Sequence, residues 1–219
     1  MDKLRLRFTK TGRAVYISHL DLMHTMQRAF SRAGYELKYS EGFNPHPHIS
    51  IALPLSVGAA SLCEIMDFRL NGEADLTELP VRLSAVMPEG IRILEAYEQK
   101  RKPAEIKWLK IEGLFEYDER DAAQTAVELE RFFGQEKIVI AKKTKRGVGD
   151  TDIRPAIREI GFTPCAGGVK VEAVISAQEP TLNPELLAEA LRQKMPEIAP
   201  DFARFTRLET FDKNMEVYR

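Results

Sequence analysis

The sequence predicts an α+β chain of two similar halves, because strand-like alternation and helix-like apolar stripes follow one another twice in the order β-α-β-β-α-β. A charged, proline-containing stretch, residues 98–105, separates the two runs and reads as a linker. In the first half, residues 3–8 (K-L-R-L-R-F) alternate polar and apolar, the period of a half-buried strand. Ser18 then opens a helix. Asp21, three residues on, completes a variant capping box and suits the positive helix end. Leu20, Met23, Met26, Phe30 and Ala33 are its expected apolar stripe, and Gly34 its stop. Residues 35–39 are expected as a short strand, and residues 49–53 resume strand character. Residues 63–70 alternate again, 76–86 read as a helix and 91–97 as the closing strand.

The second half repeats the order. Residues 106–117 are strand-like, 120–133 form a helix ended by Gly134, and 137–141 are a β-rich run. The segment KKTKRGVGDTDIRP is expected as a loop, followed by a strand at 169–175, a helix at 183–194 and a strand at 203–211. This order is that of the ferredoxin-like split βαβ unit. The expectation is two tandem ferredoxin-like domains, residues 1–98 and 106–219. A single intertwined α+β domain is the alternative.

Composition narrows the function classes. The 219 residues are 44% hydrophobic and 30% charged, with 13 Gly and 12 Pro, which excludes collagen-like, mucin-like and wholly disordered chains. The 32 Lys and Arg against 33 Asp and Glu give a formal charge of −1, so nucleic-acid binding would rest on local patches. No apolar run approaches the ~20 residues of a membrane span, and residues 1–10 lack the apolar core of a signal peptide. Cys63 and Cys165 form neither a CxxC pair nor a disulfide framework. A cytoplasmic protein without membrane association is expected.

All four histidines, His19, His24, His46 and His48, fall in the first 48 residues. His19 and His24 lie roughly 500° apart around a helix at about 100° per residue, so they share no face. His46 and His48 flank Pro47, and with Pro45 that segment cannot be helix. No metal site and no cofactor is expected from these spacings. His19 stands at a helix start, where an anion can dock. The loop from Gly42 to His48 is stiffened by Pro45 and Pro47, and rigid loops lose little entropy on binding. In it Phe43 and His46 suit stacking on unpaired bases, and Asn44 suits a base edge. The alternative is a structural turn with Phe43 as a core plug.

Charge is locally uneven. Residues 1–60 carry eight Lys or Arg against four Asp or Glu. Arg28 and Arg32 are four apart and share a helical face. Lys142, Lys143, Lys145 and Arg146 open a glycine-containing basic loop that ends in Arg154, a candidate phosphate clamp or a solvated hairpin. An internal Asp152–Arg154 ion pair is the other use of that end. No GxSxG, P-loop, GxGxxG or HExxH motif is present. A metal-independent ribonuclease needs only a general base and a cation, for which His19 or His46 with Arg28 are the candidates.

The runs SHLD at 18–21, GFNPHP at 42–47, ALPLSVG at 52–58 and DIRP at 152–155 spread over both halves. On them the chain strongly resembles the radical-SAM-linked protein family, a domain of unknown function fused behind radical SAM enzymes or encoded beside them. The resemblance implies an accessory role to such an enzyme, in RNA modification, and carries no established catalytic residue with it. The CxxxCxxC spacing that holds a [4Fe–4S] cluster in radical SAM enzymes does not occur in this sequence. Paired domains of the expected kind are also similar to those of the repeat-associated RNA-processing proteins of CRISPR systems, a likeness of fold only. The leading expectation is therefore a module that binds or presents RNA for a radical SAM partner. A metal-independent endoribonuclease and a protein-interaction adaptor without RNA contact are the alternatives.

Overall fold

The alternation at the amino end becomes β1 (Leu4–Lys10), with Leu4, Leu6 and Phe8 on one face and Arg5 and Arg7 on the other. A computed structural model describes residues 3–144 and 147–219. The chain is α+β and divides into two compact units, one reaching Pro103 and including Arg219, the other Ala104–Tyr218.

The first unit contains β1, α1 (His19–Arg32), β2 (Ile49–Ala52), β3 (Ala60–Phe68), α2 (Leu79–Ser84) and β4 (Ile91–Glu98). Its strands lie in the order β4-β1-β3-β2, every pairing antiparallel. Leu4, Leu6 and Phe8 pack with Met66 and Phe68 of β3, Met26 and Phe30 of α1, and Leu79 and Leu83 of α2. Phe30 and Phe68 meet at 5.0 Å between ring centres. Each such buried side chain contributes about 1.5–3 kcal/mol, which holds both helices on one sheet face.

Capping fixes the ends of α1. Ser18 Oγ accepts the Asp21 N–H at 3.2 Å and donates to the Asp21 carboxylate at 2.7 Å. At the other end Gly34, at φ +80°, lets Tyr35 N–H reach the Phe30 carbonyl at 2.9 Å and its own N–H reach Ser31 at 3.1 Å, a Schellman stop. The apolar stripe differs from expectation. Leu22, Met26, Ala29, Phe30 and Ala33 are buried, whereas Leu20 is 70% exposed. Leu20 lies about 200° from Leu22 around the helix, so it faces away. Residues 35–39 form only isolated bridges, Leu37 with Leu70 and Tyr39 with Pro47, and the second helix is shorter than 76–86.

Arg5 and Arg7 are not part of an exposed basic patch. The fully buried Arg5 binds Asp67 across the β1–β3 pair, Nε to Oδ1 at 2.6 Å and Nη2 to Oδ2 at 3.1 Å, and also the Arg101 carbonyl at 2.9 Å. Arg7 Nη1 pairs with Glu95 across β1–β4 at 2.9 Å. Lys10 is buried, with its ammonium on the Val15 carbonyl at 3.1 Å. Burial lowers the Lys10 pKa, partly offset by Glu64.

The second unit contains β5 (Trp108–Glu116), α3 (Ala122–Phe133), β6 (Val139–Thr144), β7 (Gly147–Asp152), β8 (Ile157–Cys165), β9 (Gly168–Ser176), α4 (Glu185–Lys194) and β10 (Phe202–Phe211). Its main sheet runs β10-β5-β9-β8, again antiparallel throughout, and β6 with β7 forms a separate hairpin. Phe115, Phe133, Phe162 and Phe205 interlock in its core at ring separations of 5.4–6.5 Å. With the hairpin set aside, both units place their strands in the order fourth, first, third, second. The segment expected as a loop thus holds most of that hairpin, and the strand expected at 137–141 belongs to it rather than to the sheet. The sheet's second strand is β8, whose alternation Gly161 and Pro164 interrupt. Proline is tolerated there because β8 pairs only with β9, as an edge strand does. Among the described residues no helix is long and apolar enough to cross a membrane.

Candidate functional site

Two prolines and a pair of clamps shape the loop after α1. Ser40 N–H reaches the His46 carbonyl at 2.8 Å, and His46 N–H returns to Ser40 Oγ at 2.9 Å. Below that clamp Tyr39 bridges Pro47, and His48 N–H reaches the Lys38 carbonyl at 2.8 Å. Residues 41–45 are thereby pushed out as a closed tip. Gly42 turns it at φ +119°, a geometry glycine tolerates. Phe43 sits there with its ring wholly in solvent, at 112% of its reference exposure, so it is no core plug. Glu41, Asn44 and His46 are exposed beside it in sequence. A pinned loop that shows water an aromatic face, an amide and an imidazole is chemically suited to stack and hydrogen-bond with a planar partner.

Where the loop re-enters the sheet, a cavity of about 280 Å³ opens, lined among others by Lys3, His48, Ser50, Asp67, Arg69 and Gln99. Lys38 and Arg69 exchange backbone bonds with this strand start: Lys38 N–H to Arg69 O at 2.9 Å, Arg69 N–H to His48 O at 3.1 Å. Asp67 is engaged by Arg5 and also accepts from Gln99 Nε2 at 2.7 Å. Lys3, Asp67 and Arg69 belong to no motif. The alternation of residues 3–8 and 63–70 marks the strands around them and says nothing of a site.

The other candidate residues are placed apart from this cluster. His19 begins α1 and is exposed. The 14 residues of α1 span roughly 21 Å between His19 and the helix end from which the chain runs on to the His46 loop. Arg28 is exposed, with no side-chain hydrogen bond or ion pair among the described residues. Arg32 instead donates to the Val86 carbonyl at 2.9 Å and braces α1 to the chain after α2. In the second unit Lys142 is half-buried on β6, and Lys143 is described by its backbone alone. Lys145 and Arg146 lie outside the described residues. Arg154 donates to the Ile157 carbonyl at 2.7 Å, and Asp152 Oδ1 accepts from Ile138 N–H at 2.9 Å and Arg154 N–H at 3.1 Å. The DIRP run is therefore a braced turn and not an internal Asp152–Arg154 ion pair. Among the described residues no group of three or more His, Cys, Asp or Glu is placed to hold a metal ion.

The family model described as "Uncharacterized protein conserved in bacteria (DUF2344)" matches residues 3–184, which takes in the pinned loop, the cavity and the braced turn. The chain belongs to this family. No curated protein matches the DUF2344 chain. Among solved structures it is similar to an unknown protein from Galdieria sulphuraria, at 9% identity over 93% of this chain and 96% of that one, with a TM-score of 0.28. It is also similar to Thermus thermophilus Cse3 bound to an RNA representing a pre-cleavage complex, at 14% identity over 93% and 98%, with a TM-score of 0.21. Likenesses this distant in geometry carry no weight for fold or function.

Proposed function

We propose that the chain is a pair of tandem ferredoxin-like domains that binds RNA and presents it to a separate radical SAM enzyme, without chemistry of its own. The repeated fourth-first-third-second strand order supports the domain reading. The observation that carries the functional reading is Phe43, a bare aromatic ring on a loop clamped by Ser40 and His46. Phe43 stacks on an unpaired base, Asn44 reads its edge, and His46 and His48 line the path back to the sheet. Arg28 supplies a phosphate contact on the same unit. On the other unit Lys142 and its basic neighbours Lys143, Lys145 and Arg146 supply more. The radical SAM partner is supported by the resemblance carried on SHLD, GFNPHP, ALPLSVG and DIRP.

A metal-independent endoribonuclease with His19 or His46 as its general base has no such observation in its favour. Fluorescence anisotropy against labelled tRNA and fragmented rRNA, across a salt series, tests the proposal. Salt-dependent binding that Phe43→Ala weakens sustains it. No binding at low salt overturns the RNA reading and leaves the adaptor reading, for which capture of a radical SAM enzyme is the next measurement.

A further inference from the structure

Charge in the cavity beneath the loop is one-sided. Its lining carries two cationic side chains, Lys3 and Arg69, and the His48 imidazole, against a single carboxylate, Asp67. Asp67 is already neutralised by the buried Arg5 guanidinium, which it meets with both oxygens, and it takes a further hydrogen bond from Gln99. Lys3, His48 and Arg69 make no side-chain hydrogen bond or ion pair among the described residues. Ser50, exposed on the edge strand β2 and paired in register with Asp67, adds a hydroxyl donor to the same rim.

A concave site with spare cationic donors, one hydroxyl and no uncompensated negative charge is complementary to a compact dianion. We infer that this cavity binds a phosphate monoester. Arg69 supplies the planar fork that matches two phosphate oxygens, Lys3 a point charge, and His48 and Ser50 further hydrogen bonds. The cavity's volume, about 280 Å³, is large enough for a phosphate with its ribose. The inference deepens the RNA reading and rests on it for the source of the phosphate, a terminal phosphate of RNA; a free nucleotide offers the same chemistry.

Two arms separate these sources. In the first, AMP, inorganic phosphate and adenosine are titrated calorimetrically into the full chain and into Arg69→Gln, Lys3→Gln and Arg13→Gln. Arg69 and Lys3 brace nothing through their side chains among the described residues, so both variants fold. AMP and phosphate bind while adenosine does not. Arg69→Gln weakens AMP by roughly tenfold or more, as for loss of a hydrogen bond to a charged group. Arg13→Gln leaves AMP binding unchanged. In the second arm, a hexaribonucleotide with a 5′-phosphate is compared with its 5′-hydroxyl form. A preference for the phosphorylated form that Arg69→Gln abolishes identifies RNA ends as the source. AMP binding without any RNA binding keeps the site and defeats the RNA reading. RNA bound equally with either end, with no response to AMP or phosphate, overturns the phosphate site and leaves the RNA reading standing.

Discussion

At Phe43 a large apolar ring is held in water by its own loop, and the cost of that exposure is not recovered anywhere in the fold. Phe43→Ala therefore leaves the urea midpoint unchanged and weakens RNA binding by roughly five- to a hundredfold, the range for loss of one base–aromatic stack. Arg5 is the opposite case. It is fully buried, and Arg5→Ala takes away the guanidinium that Asp67 meets with both oxygens, leaving it the Gln99 hydrogen bond. The expected loss is about 3 kcal/mol, the lower end for a broken buried pair, because the Asp67 side chain keeps 19% exposure. Urea denaturation measures it. At Tyr97 burial, ahead of the neighbouring charges, pushes the phenol up to about 12. The unfolded phenol titrates near 10, so the native state favours the protonated form. The corresponding stability is whole below about pH 10 and is lost as pH rises through about 12. Tyr97→Phe should flatten that alkaline decline in chemical denaturation. It should cost little at neutral pH, since the buried hydroxyl has no hydrogen-bond partner among the described residues.

Elements were legible where local chemistry decides them. Ser18, Asp21 and Gly34 marked both ends of α1 from sequence alone, since caps act within a turn of the chain. Leu20 misled because position along a helix does not say which face is packed, and only tertiary contacts choose Leu22 and Ala29 over it. The second unit was harder. The hairpin β6–β7 intervenes before β8, and Gly161 with Pro164 blurs the alternation of the true sheet strand. Of the candidate site, the pinned loop showed in its two prolines, while the cavity was hidden because Lys3, Asp67 and Arg69 meet only through strand pairing. The hairpin carries its own test. Replacing Lys142, Lys143, Lys145 and Arg146 by Ala should flatten the salt dependence of RNA binding, by about 0.7 in log–log slope for each phosphate no longer neutralised. Gln193 splices β6 to α4, accepting from Ala141 N–H at 2.8 Å and donating to its carbonyl at 3.0 Å. Gln193→Ala should speed amide exchange at Ala141 without lowering the stability of the rest of the unit.

Across the whole molecule the formal charge is −1, so recognition of a polyanion has to be local. Arg5, Arg7 and Lys10 are consumed inside the first unit, and Arg32 and Arg154 brace backbone. What is left free of such duties on the first unit includes Arg28, Lys3 and Arg69. The family match spans this whole end of the chain. Whether this end meets RNA is read by photocrosslinking of 4-thiouridine-substituted RNA followed by peptide mass spectrometry. Adducts concentrated in the peptide holding residues 40–48, and lost in Phe43→Ala, are the predicted result. Adducts confined to other peptides, or a yield that Phe43→Ala does not change, would contradict it.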